Sequence, residues 1–178
     1  MNKKDELLTN AARIINQEGI QKLTIDYLAK TSKITKGGVL YHFENKANLL
    51  LQMNEMVIQK FEDVWDHYKL QLSGASLITR AYALATLDFL KSPETALLPA
   101  VFISSLEDAE SYKLWQKTSE IWEQRFQSDN GDEKDNLKLR LICDGIWFSI
   151  LYVSDNALNK QMESLVLEYC HTLEKENI

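Results

Sequence analysis

Residues 24–50 read Thr24-Ile-Asp-Tyr-Leu-Ala-Lys-Thr-Ser-Lys-Ile-Thr-Lys-Gly-Gly-Val-Leu-Tyr-His-Phe-Glu-Asn-Lys-Ala-Asn-Leu-Leu50, and this stretch decides the fold. Thr24 has the short polar side chain that caps a helix N-terminus, and Asp26 falls in the first turn, where negative charge complements the helix dipole. Ile25, Leu28 and Ala29 give the short helix that follows a single apolar face. Thr31 to Thr35 reads as a turn in which Ile34 plugs the core. Thr35 caps another short helix, predicted from Lys36 to Phe43, which Glu44-Asn45 breaks before Lys46 opens the next.

Helix, tight turn and helix in this order form a helix-turn-helix, whose second helix enters the DNA major groove with its N-terminal residues toward base edges. At about 100° per residue, Val39 and Phe43 fall on one side of that second helix and Gly37, Gly38, Tyr41 and His42 on the other. The apolar side must pack on Leu28 and the preceding helix, which leaves two glycines and two hydrogen-bonding rings exposed. Glycine lets the backbone approach a partner closely. Tyr41, His42 and Thr35 can donate to phosphate oxygens, and Lys46 adds a positive charge at the start of its helix. Lys36 falls on the apolar side, but its length and its place at the helix tip predict that it reaches outward to DNA.

The pattern extends in both directions from this stretch. Upstream, Leu7, Leu8, Ala11, Ala12, Ile14 and Ile15 mark one face of a helix over residues 5–18, which Gly19 ends. Downstream, Leu49, Leu50, Met53, Val57, Phe61, Val64, Trp65 and Tyr68 predict a long helix over 46–71. Ser73-Gly74 and Ser92-Pro93 bound a helix over 75–91. Further helical patterns cover 94–106, 109–127, 135–154 and 158–175, with breaks at Ser128–Glu133 and near Asp155-Asn156. No alternating strand pattern is present, and the expected fold is all-α with about nine helices.

The run from Thr24 to Leu50 resembles the DNA-binding signature of the tetracycline-repressor (TetR) family, most specifically in Lys36-Gly-Gly-Val-Leu-Tyr-His-Phe43 followed by Asn45-Lys46 and Leu49-Leu50. The resemblance implies three helices for DNA and six for ligand and dimer, so residues 1–46 are expected to bind DNA and 47–178 to sense a ligand and dimerise. It implies base or phosphate contacts at Thr35, Lys36, Gly37 and Gly38, and phosphate contacts at Thr24, Tyr41, His42 and Lys46. Two positions depart from the pattern. Leu40 stands where many members carry Tyr, which removes a phosphate donor, and Gly38 stands where many carry a polar side chain. Asp144-Gly-Ile-Trp147 is similar to an Asp-Gly-Leu-Trp stretch in one branch of the family, whose last two helices pack on a second subunit. The expected homodimer surface takes in Leu141, Gly145, Phe148, Leu158, Met162, Leu165 and Tyr169.

Charge agrees with this division. The whole chain carries −6, yet residues 1–50 hold eight basic and five acidic side chains, so the attraction for phosphate sits at one end of the sequence. A double-stranded operator is the expected partner, and the expected effector is a small, largely apolar molecule. Phe61, Trp65, Phe89, Phe102, Trp122, Trp147 and Tyr152 are candidates for its pocket, since apolar cavities between helices are the usual ligand sites. Cys143 and Cys170 read as reduced core thiols of a cytoplasmic protein, and no apolar run reaches the roughly 18 residues of a membrane span. His67 and His171 read as ordinary surface or packed histidines, the acids of 129–135 as a solvated loop, and no metal or other cofactor is expected. No Gly-x-Ser-x-Gly, P-loop or Gly-x-Gly-x-x-Gly occurs, which argues against an enzyme. The alternative reading is a helical adaptor whose N-terminal helices bind another protein.

Overall fold

The computed structural model describes residues 2–149 and 160–175. Among these residues the helices are α1 (Lys3–Glu18), α2 (Ile25–Thr31), α3 (Lys36–Leu40), α4 (Lys46–Gln71), α5 (Leu77–Lys91), α6 (Leu98–Glu107), α7 (Ala109–Gln127), α8 (Glu133–Ser149) and α9 (Lys160–Lys175), with 3-10 turns at Ile20–Lys22 and Pro93–Leu97 and no strand. They form two compact units, Met1–Ile58 with Ala96–Thr118 and Gln59–Thr95 with Ser119–Ile178, so α4 and α7 each run from one unit into the other. No described helix is long and apolar enough to cross a membrane.

The first unit is built on α1. Asn2 caps it by accepting from the Asp5 N–H at 2.9 Å, and Leu7, Leu8, Ala11, Ala12, Ile14 and Ile15 are all buried. Each such large apolar side chain contributes on the order of 1.5–3 kcal/mol. Gly19 ends the helix with φ at 88°, a conformation other residues adopt only with strain. The helix α6 packs on α1, and the Asn16 amide reaches the Ala96 carbonyl at 3.0 Å. Asn54 on α4 is fully buried. Its amide donates to Ser104 Oγ at 2.9 Å and accepts from Trp115 Nε1 at 2.7 Å, which ties α4 to α6 and to the start of α7.

In the second unit α5 is buried nearly all round, and α8 and α9 pack against it and each other. The Asp144-Gly-Ile-Trp147 motif acquires a physical reading here. The Tyr82 hydroxyl donates to Asp144 Oδ1 at 2.7 Å and Trp147 Nε1 to Thr86 Oγ1 at 3.2 Å, so one turn of α8 is fastened to one turn of α5. Burial raises the Asp144 carboxyl above its usual range, and also pushes the Tyr82 hydroxyl well up. Cys143 and Cys170 are free and buried, and desolvation holds the Cys143 thiol far above its ordinary value and pushes Cys170 up to about 12.

The structure differs from the sequence reading in several places. The helix α3 stops at Leu40, and the Val39 carbonyl accepts from both His42 and Phe43 to close a tight last turn. The segment expected as one helix over 94–106 is a 3-10 turn followed by α6, because Pro99 sits in the first turn of α6, where a missing N–H costs nothing. The acidic segment 129–135 is more than a solvated loop, and its last residues already form the first turn of α8. Asp129 accepts from the Ile78 N–H at 3.0 Å and, through Oδ2, from the Thr79 N–H at 2.8 Å and its hydroxyl at 2.7 Å. It therefore caps α5 from fifty residues away in sequence. Gly131 makes this possible, because its φ is 107° and a Cβ there would lie 2.4 Å from Ser76 Oγ.

Asp129→Ala leaves the N–H groups of α5 without an acceptor in a partly buried setting. It is expected to lower unfolding stability by about 1–2 kcal/mol in urea titration, and Asp129→Asn by less.

Candidate nucleic-acid interface

The candidate surface starts from the two threonine caps. Thr24 Oγ1 accepts from the Tyr27 N–H at 3.1 Å and opens α2, and Thr35 Oγ1 accepts from the Gly38 N–H at 3.0 Å and opens α3. Capping uses an oxygen lone pair and leaves each hydroxyl proton free to donate outward. Between the helices Lys33 takes φ of 55°, the left-handed conformation that folds the turn back, with its N–H on the Lys30 carbonyl at 3.3 Å. The Asn10 amide on α1 holds this turn from behind, donating to Ser32 Oγ at 2.6 Å.

Val39 and Phe43 are both fully buried. Gly37 is exposed, Gly38 half-buried, and Tyr41 leaves 85% of its surface open. His42 is half-buried with its ring edge-on to Tyr41 at 5.0 Å. The division that the helical wheel predicts is therefore present. Thr24, Thr35, Lys36, Gly37, Gly38, Tyr41, His42 and Lys46 all belong to the first unit.

Two of the expected cations are engaged within the chain. Lys36 Nζ lies 3.1 Å from Asp26 Oδ2, an exposed pair of the kind worth little against water and easily exchanged for another anion. Asp26 is thus a competitor for the Lys36 charge as well as a first-turn acid on α2. Lys46 is held more firmly, its ammonium donating to the Ile20 carbonyl at 2.6 Å in a half-buried site. That bond fastens the start of α4 to the 3-10 turn after α1, and two of the three ammonium protons remain available. Leu40, noted in the sequence only as a departure from the family pattern, is 40% exposed at the end of α3.

The ring candidates divide. Phe61, Trp65, Phe89, Trp122 and Trp147 gather in the second unit with Tyr82 and Phe126, at centroid separations of 5.1–6.2 Å. Phe61, Trp65 and Phe89 are buried, whereas Trp122 and Trp147 are half-buried at the edge. The Arg125 guanidinium stacks over Trp65 at 3.7 Å. Phe102 does not join this group. It lies on α6 in the first unit, since helical spacing places a residue on a face but does not say which helix that face meets. Tyr152 and Leu158 lie outside the described residues.

On α8, Leu141 and Phe148 are 58% and 59% exposed, and a Cβ built on Gly145 between them meets nothing within 4 Å. Leu137 one turn earlier continues this stripe, and Leu165 on α9 is exposed as well. Met162 is half-buried, and so is Tyr169, whose hydroxyl turns back to Asp135 at 3.1 Å. Leu137 follows from the i, i+4 spacing to Leu141, a signal already present in the sequence.

Residues 7–53 match the family model described as "Bacterial regulatory proteins, tetR family", and residues 77–168 match "Tetracyclin repressor-like, C-terminal domain". The chain belongs to the tetR family of bacterial regulatory proteins. Among curated proteins it is similar to the HTH-type transcriptional regulator QacR of Staphylococcus aureus, at 32% identity over 65 residues, which is 36% of this chain and 35% of that protein. It is also similar to the probable acrEF/envCD operon repressor of Escherichia coli, at 35% identity over 57 residues, 32% of this chain and 24% of that one. The match thus spans about a third or less of these relatives' own length. Among solved structures, the TetR family transcriptional regulator PfmR from Thermus thermophilus superposes with a TM-score of 0.66 at 11% identity, over 98% of this chain and 100% of that chain. That likeness is one of fold.

Lys46→Met removes the donor to the Ile20 carbonyl while keeping the aliphatic stem. A cost of about 1 kcal/mol in chemical unfolding is expected from the lost bond alone, since the Ile20 carbonyl keeps a second donor in the Leu23 N–H at 3.2 Å.

Proposed function

We propose that the chain is a dimeric transcriptional repressor that binds an operator through α2 and α3 and leaves it when a small, largely apolar molecule binds the second unit. The observation that carries the DNA reading is the one-sidedness of α3. Its apolar side is fully buried, and its other side offers bare glycine backbone, the Tyr41 hydroxyl and the free hydroxyl proton of Thr35. The family assignment and the repressor named among the relatives support the same conclusion.

Dimerisation follows from the economics of reading DNA. One helix-turn-helix reads only a few base pairs, and two related by a twofold axis read a palindrome with half-sites about one turn or more apart. The stripe of Leu137, Leu141, Gly145 and Phe148 on α8, with Leu165 on α9, is the surface proposed to meet a second copy. Gly145 lets the partner's helix come close at that point.

Release of DNA is assigned to α4. Trp122 Nε1 donates to Glu62 Oε1 at 2.7 Å, and Arg125 pairs with Asp66, so α7 grips two successive turns of α4 at the edge of the ring cluster. A ligand wedged there displaces α4, and the same continuous helix carries Lys46 at its other end.

The binding test is a gel shift of the full chain with its own upstream DNA across a salt series. Tyr41→Phe removes one exposed, uncharged hydroxyl, so it is expected to leave stability unchanged and weaken binding to all duplexes alike. The slope of log K against log[salt], which counts phosphates neutralised by Lys and Arg, is expected to stay the same. Unchanged affinity would remove Tyr41 from the phosphate track. Separately, Leu141→Glu places a charge in the α8 stripe. Sedimentation is expected to show a monomer at micromolar concentration where the parent chain is a dimer.

A further inference from the structure

Leu40 breaks the polar and apolar division of α3. The neighbouring apolar side chains Val39 and Phe43 are fully buried, whereas Leu40 keeps 40% of its surface open. At about 100° per residue, the exposed side of the helix runs Lys36, Leu40, Gly37, Tyr41, Gly38 around its circumference. Leu40 therefore lies between Lys36 and Gly37, about 40° from the lysine at the margin and about 60° from the glycine. A Cβ at Gly37 would meet nothing nearer than Thr35 Oγ1 at 3.9 Å, so the protein itself does not fill the space in front of it. Whatever approaches the Gly37 backbone also meets the Leu40 side chain, about 4.5 Å further along the helix.

An isobutyl group at that place has no hydrogen bond to give a phosphate or a base edge. It has apolar surface, and the major groove presents one apolar group on its base edges, the 5-methyl of thymine. Leu40 stands between Lys36 and Gly37, two positions at which the family resemblance implies base or phosphate contacts, so its side chain lies beside groups expected to approach the groove.

We propose that Leu40 is a specificity-determining residue that selects thymine by packing on its 5-methyl group, once in each half-site. This rests on the DNA-binding reading above. The absent hydroxyl at this position then marks a change of role, from holding the backbone to reading a base.

The experiment uses the full chain to select duplexes from a random pool, and the tightest duplex becomes the probe. Each thymine is then replaced singly by uracil, which deletes the methyl and keeps the base pairing. One thymine per half-site is expected to stand out, its uracil form binding about fourfold more weakly, the value of one buried methyl-sized group. Leu40→Ala is expected to bind the parent duplex more weakly and to bind the thymine and uracil forms equally. Because Leu40 is exposed, the variant should keep the parent's helicity by circular dichroism, which separates lost reading from lost fold. A flat uracil scan, a selected half-site without thymine, or a Leu40→Ala variant that retains the full uracil penalty overturns the proposal. If no duplex is enriched at all, the DNA-binding reading itself falls.

Discussion

A helix of five residues does not persist alone in water, because nucleation is costly and five residues return too few hydrogen bonds. The helix α3 exists because Val39 and Phe43 are buried and because Thr35 supplies its cap. The burial also fixes its rotation. A slip of one residue would turn the helix by about 100° and bring Val39 toward solvent, at a cost on the order of 1.5–3 kcal/mol for one such side chain. Everything this helix shows to a partner is what remains after that constraint is met. The exposed backbone at Gly37 and the outward ring of Tyr41 are consequences of which residues went inside. Behind α3, Asn10 holds the turn and Lys46 fastens the next helix to the 3-10 turn that follows α1, so the short helix borrows its rigidity from longer ones.

The second unit meets a different constraint. With α5 buried on nearly every side, its first N–H groups cannot be left to water, and Ser76 at its start makes no side-chain cap. Asp129 supplies the missing acceptors, and the glycine beside it lets the loop come close enough. The same logic governs the ring cluster. Trp65 Nε1 reaches the Ile78 carbonyl at 3.1 Å, Tyr82 reaches Asp144 and Trp147 reaches Thr86, so each polar tip finds a partner while the ring faces pack on one another. Arg80 is nearly as enclosed, and its guanidinium satisfies the Ser73 and Ala75 carbonyls and pairs with Glu174 on α9.

Much of the first unit was legible because its signals are local. Caps act three residues away, and helical periodicity repeats within a turn, so Thr24, Thr35, Gly19 and the buried faces of α1 and α3 could all be read from neighbouring letters. What escaped is non-local. Asp129 looked like a loop acid because its partners lie at 78 and 79. Phe102 shares its spacing with core aromatics, and only the tertiary fold assigns it to the α1 side of the chain. Lys36 was expected outward, and it is, but the acid that meets it sits ten residues back on the preceding helix. The start of α6 at Pro99 is a local signal of a different kind, since proline both ends one pattern and opens another.

The closed ring cluster limits how a sensor of this construction can work. A ligand releases DNA only if it binds the DNA-free arrangement more tightly, and equal affinity for both arrangements shifts nothing. An apolar molecule entering among Phe61, Trp65 and Phe89 would exchange one set of apolar contacts for another, because these rings are already shielded from water. The half-buried Trp122 and Trp147 differ, since covering them removes further apolar surface from solvent. Trp122 also carries the hydrogen bond to Glu62. Binding that turns this ring breaks a bond to α4 directly, so the gain from covering the edge is coupled to the loosening of α4. The edge of the cluster, more than its buried centre, is where ligand affinity and helix movement can share one free energy.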